Sequence, residues 1–127
     1  MKFLVFGDLH YDEVEDGDRR IDELVTHIGE VNPDFVVSLG DLCKPIAENE
    51  SNVLERFRAT GVPIYHTIGN HESDGCTLAD GVKFLLLDNS YYSFENDDIK
   101  FIVLNSCYFS KNEEEQPFYK KNYKGEG

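Results

Sequence analysis

Three short apolar runs constrain this chain most, because a glycine stops each one and a polar, ligand-type residue follows. Phe3 to Phe6 stops at Gly7–Asp8, the run inside Pro33–Asp41 at Gly40–Asp41, and the run inside Val62–Glu72 at Gly69–Asn70. Runs this short and apolar, bounded by glycine, read as buried strands. Between the first two, residues 18–31 carry Ile21, Leu24, Val25 and Ile28 at helical spacing, and Pro33 ends the pattern. Between the second and third, residues 49–60 place Val53, Leu54 and Phe57 on one face, with Gly61 behind them. Strand, helix, strand, helix, strand with short connections implies right-handed crossovers and a parallel sheet. The carboxyl ends of parallel strands share one edge, and ligands of open α/β sheets bind outside it. Asp8, His10, Asp41, Asn70 and His71 all fall on that edge, though they are distant in sequence.

Beyond Glu72 the pattern changes. Residues 77–88 contain Val-Lys-Phe-Leu-Leu-Leu-Asp, an apolar run that fits a short helix or a strand equally. Tyr91 to Ser106 reads as two strands joined by a turn at Asn96–Asp98, hence an antiparallel hairpin. Residues 110–127 are polar, include the run Glu113–Glu115, and read as a solvated loop or connector. The expected class is therefore α/β, a mostly parallel βαβαβ sheet with flanking helices plus the start of a second, antiparallel sheet. One domain over 1–127 is expected: a motif-bearing α/β half at 1–76, the start of the second sheet at 77–109, and the connector at 110–127.

Charge narrows the partners. The formal net charge is −13, which repels nucleic acid and anionic membranes alike. A metal cation would offset that charge where carboxylates gather. The first apolar run, preceded only by Lys2 as a basic residue, is too short for a secretory signal. No apolar run approaches a transmembrane length. Cys43, Cys76 and Cys107 are odd in number and lack paired-ligand spacing, which fits a reduced, cytoplasmic protein.

Carboxylate, imidazole and amide oxygen at the strand ends suit divalent Mn, Fe or Zn. Two such ions about 3.5–4 Å apart can share a carboxylate, activate a water and stabilise charge on phosphoryl oxygens. Against this stands a simpler reading, in which Asp8 and Asp41 cap the turns behind their strands and His10 is an ordinary surface or core histidine. Three consecutive strand ends with ligand-type residues favour the metal. His27 and His66 read as structural, Cys43 as a packed thiol beside the site, Cys76 and Cys107 as inert. Tyr91, Tyr92 and Phe94 read as strand aromatics that pack a core.

Gly7-Asp8-Leu9-His10, Gly40-Asp41 and Gly69-Asn70-His71-Glu72 together resemble the first three motifs of the calcineurin-like metallophosphoesterases, in order and spacing. The resemblance runs to about Phe109 and includes the hairpin. It implies a two-sheet sandwich and hydrolysis of a phosphate mono- or diester, a small-molecule substrate, at a two-metal site. Asp8 and His10 would hold the first metal, Asp41 would bridge both, and Asn70 would bind the second. His71 would face the leaving-group or a phosphoryl oxygen as acid or charge stabiliser, and Glu72 would orient a neighbour. The family pattern continues with three later histidines, whereas the four histidines here are His10, His27, His66 and His71. Either the chain is the amino-terminal half of a longer enzyme, the favoured explanation, or it is a short homologue that completes its site with another chain or only binds metal or phosphate. An unpaired edge of the second sheet invites self-association.

Overall fold

A computed structural model of the protein describes residues 1–73, 76–111 and 114–117. β1 (Phe3–Phe6), β2 (Phe35–Ser38) and β3 (Ile64–His66) form a parallel sheet in the order β1-β2-β3, with Phe3 opposite Phe35 and Val36 opposite Ile64. The period-2 alternation of the strands sorts their side chains onto two faces. Leu4, Phe6, Val36 and Ile64 face the helical side. There they pack with Ile21 and Ile28 of α1 (Gly17–Val31) and with Val53, Leu54 and Phe57 of the second helical segment. That segment runs through α2 (Ala47–Asn49), a π-helical turn (Glu50–Leu54) and α3 (Glu55–Arg58). α1 ends where Asn32 takes a left-handed conformation (φ 46°) and donates its N–H to the Ile28 carbonyl, just ahead of Pro33.

Phe3, Phe35 and Tyr65 face the other way, onto the hairpin of β4 (Tyr92–Asn96) and β5 (Ile99–Val103). Phe94 stacks on Tyr65 with ring centroids 3.4 Å apart, and Phe101 meets Phe35 edge-on at 5.1 Å. The Tyr92 hydroxyl donates to the His66 carbonyl (2.8 Å), while Tyr91 is exposed. The antiparallel pair is therefore a separate small sheet laid on the parallel one. Its cover is partial: Val5, Leu39, Ile102 and Leu104 are each at least half exposed.

The ambiguous run at 77–88 forms a helix, α4 (Leu78–Phe84). A capping box decides it: Thr77 accepts from the Asp80 N–H (3.2 Å) and Asp80 accepts from the Thr77 N–H (2.9 Å). The segment read as a polar connector, 110–127, needs a correction in its described part. Ser110 and Lys111 belong to β6 (Tyr108–Lys111), which pairs antiparallel with β7 (Glu114–Pro117). The backbone pairing of these two strands competes successfully with solvation of the acidic run. Residues 112–113 and 118–127 lie outside the described residues. Among the described residues no helix is long and apolar enough to cross a membrane.

Candidate metal centre

Backbone geometry brings the three strand ends together. Gly40 has a left-handed φ of 98°, and a Cβ there would lie 2.7 Å from the Gly69 nitrogen. Gly69 in turn leaves no room for a Cβ beside the Asp41 carboxylate, with Glu72 Oε2 only 2.8 Å away. The two glycines thus let the second and third loops touch. The first loop is laced to the second: the N–H groups of Asp8, His10 and Tyr11 donate to the carbonyls of Gly40, Asp41 and Leu42 at 3.1, 2.9 and 3.0 Å. Asp8, His10 and Asp41 all sit at positive φ (53°, 43° and 54°). Non-glycine residues held there cost roughly 1 kcal/mol or more each, and such strain concentrates at functional sites.

Their side chains converge. His10 Nε2 lies 3.5 Å from Asp8 Oδ1 and 3.9 Å from Asp41 Oδ2. His71 meets His10 edge to face, with ring centroids 4.4 Å apart, and its backbone N–H donates to Asp41 Oδ1 (3.0 Å). Asp8 is open to solvent, its side chain 79% exposed, whereas Asp41 and His10 are mostly shielded. Asn70 follows Gly69 in the third loop, exposed, and its carbonyl accepts from the Ser73 N–H (3.1 Å).

Glu72 occupies a different environment. It is 1% exposed. Its Oε2 accepts from the N–H groups of Asp41 (3.0 Å) and Gly69 (2.7 Å), and its Oε1 from Leu42 (2.6 Å). Burial raises the Glu72 pKa above its ordinary value, and the three backbone donors pull it back down. One carboxylate thereby ties the second loop to the third.

Sequence reading missed two residues here. The Arg20 guanidinium, from the first turns of α1, donates to the carbonyls of Leu9, His10 (3.3 Å), Val14 (2.9 Å) and Glu15 (3.0 Å), holding the first loop from behind. Glu13 places Oε2 3.1 Å from His71 Nδ1 and 3.7 Å from His10 Nδ1, with Lys44 Nζ 3.7 Å from Oε1. Its signal was the His-x-x-Glu spacing, because residues 13 and 14 turn back to the His10 carbonyl at 3.1 Å. Asp12, Glu15, Asp16 and Asp18 surround Glu13 in sequence and hid it.

The other candidates lie outside the cluster. His27 is exposed on α1, 3.9 Å from Glu30. His66 sits in β3, and burial, helped by the Arg58 charge, lowers its pKa to about 4. Cys43 is buried in the core, and burial raises its thiol pKa far above the ordinary value. Cys43 and Cys107 are free thiols.

Among the described residues, two sets of ligating atoms lie close enough to share one ion: Asp8, His10 and Asp41, and His10, Glu13 and His71. The first set offers two carboxylate oxygens and one imidazole nitrogen, a donor mixture suited to a divalent cation. Two carboxylates crowded onto one imidazole are also a repulsive arrangement that a cation relieves. The residues present therefore fit a metal.

The family model for calcineurin-like phosphoesterases matches residues 1–123. No curated protein matches the chain.

Proposed function

The chain belongs to the calcineurin-like phosphoesterase family, metal-dependent hydrolases of phosphate esters, and we propose that its strand-end cluster is a two-metal site for hydrolysing a small phosphate mono- or diester. The observation that carries this reading is the convergence of Asp8 Oδ1, His10 Nε2 and Asp41 Oδ2 at the ends of β1 and β2. Asp8 and His10 would hold one divalent ion, of Mn, Fe or Zn, and Asn70 would hold a second through its amide oxygen, with Asp41 contributing to both. Bound there, the ions would supply Lewis acidity to the phosphoryl oxygens and would acidify a water. His71 lies against His10 and serves the leaving-group oxygen, as proton donor or as charge stabiliser. Glu72 touches no ion. It fixes the backbone that carries Asp41 and Asn70. The net charge of −13 and the free thiols of Cys43 and Cys107 support a small-molecule substrate and a reducing, cytoplasmic setting.

The test is hydrolysis of an aryl phosphate ester by the purified protein with Mn²⁺. Activity that chelator abolishes and that Asp41→Asn lowers at least ~100-fold supports the reading; activity indifferent to chelator contradicts it. Tight Mn²⁺ binding with no hydrolysis of mono- or diesters would point instead to a module that binds metal or phosphate without turnover. The exposed Ile102 of the hairpin and Leu104 just beyond it support self-association, which the mass of the protein in solution checks.

A further inference from the structure

We propose that Glu13 is a positioning residue that orients the His71 imidazole and sets its Nδ1–H tautomer; the inference rests on the phosphoesterase reading for its purpose but not for its geometry. Glu13 Oε2 lies 3.1 Å from His71 Nδ1 and 3.7 Å from His10 Nδ1. An ionised carboxylate only accepts hydrogen bonds, so a neutral imidazole facing it places its proton on the facing nitrogen. The His71 contact is within hydrogen-bond range. The His10 contact is longer, and the opposite nitrogen of that ring, Nε2, faces Asp8 Oδ1 at 3.5 Å and Asp41 Oδ2 at 3.9 Å, so Glu13 does not fix the His10 proton. The effect of Glu13 therefore belongs to His71.

At His71 the carboxylate makes Nε2 the nitrogen that serves the substrate. Lys44 Nζ, 3.7 Å from Oε1, holds the other side of the carboxylate and steadies its direction. Glu13 touches neither substrate nor reacting atoms; it acts through the His71 ring.

Nitrogen-15 histidine spectra of the metal-free protein, taken about two pH units above the ordinary imidazole pKa of about 6.5, read the tautomers directly. His27 and His66 serve as internal references for the fold. The wild type is expected to show Nδ1–H at His71. Glu13→Ala should move the His71 ratio ~10-fold toward Nε2–H, the scale of one lost charge-assisted hydrogen bond. Glu13→Gln, whose amide oxygen still accepts, should recover part of the Nδ1–H population. Any ester hydrolysis should lose kcat in Glu13→Ala with KM little changed. Nε2–H at His71 in the wild type, or tautomers unchanged by Glu13→Ala, overturns the proposal. The expected tautomers in a protein that hydrolyses no phosphate ester uphold it and overturn only the activity; hydrolysis with unaltered tautomers does the reverse.

Discussion

After β1 the chain turns through Gly7–Glu15 with its carbonyls gripped from outside by Arg20; after β3 it turns through Gly69–Ser73 around its own buried Glu72. Both loops deliver a histidine to the same place, and their rings touch. The first loop is open and acidic, with Asp8 exposed and Asp8 and His10 at positive φ. The third is shielded at Glu72 and Ser73, though Asn70 is exposed, and its glutamate binds N–H groups from its own loop and from the loop after β2. The contrast teaches that exposed charge and structural anchoring are divided between loops. Charge left uncompensated in the first loop is what a cation would use. The third loop supplies a fixed base for that arrangement at the cost of burying a carboxylate.

Breaking the anchor of the third loop should have the largest effect. Glu72→Ala strands three backbone donors, and each buried donor left without a partner costs about 1–3 kcal/mol. A loss of about 4 kcal/mol in urea unfolding is expected, and a loss below about 1 kcal/mol would dissolve the contrast between the loops. Acid should act next on the strand that leads into this loop. Burial, with the Arg58 charge, lowers the His66 pKa from 6.5 to about 4, and its Nδ1 is buried without a hydrogen-bond partner among the described residues. Between those values the unfolded chain binds the proton that the folded chain refuses. Stability should therefore be full above pH 6.5 and fall as the pH drops toward about 4, by up to about 3 kcal/mol. His66→Leu should flatten that part of the pH profile.

Loosening the first loop should cost less. Arg20→Met removes the guanidinium contacts to four carbonyls that solvent can partly replace. About 2 kcal/mol of stability is expected to go, and Mn²⁺ affinity should weaken with it because Asp8 and His10 lose their fixed backbone. Calorimetric titration beside urea unfolding would show both. Unchanged metal affinity in Arg20→Met would mean that the loop keeps its shape without the clamp.

Much of this arrangement is legible in the sequence because it is written in local signals. Apolar runs ending at Gly7, Gly40 and Gly69 mark the three strands, and the i, i+3, i+4, i+7 spacing of Ile21 to Ile28 marks α1. α4 was legible too, through Thr77 and Asp80, but the apolar run that follows masked its cap. What failed depends on pairing or on burial. β6 and β7 draw on a polar, acidic stretch whose strand propensity is weak, so only their mutual pairing defines them. Glu13 stands among carboxylates that look alike in sequence, and only the fold turns one of them toward two imidazoles. The three backbone donors around Glu72 come from two loops, and no local pattern announces them.

The central claim is that Asp8, His10 and Asp41 share one divalent ion at the strand ends. Paramagnetic broadening of the histidine signals by substoichiometric Mn²⁺ tests it most directly. The signals of His10 and His71 should broaden first, His27 should stay sharp, and Asp41→Asn should remove the selective broadening. Broadening of His27 before His10, or selective broadening that survives Asp41→Asn, would contradict the account.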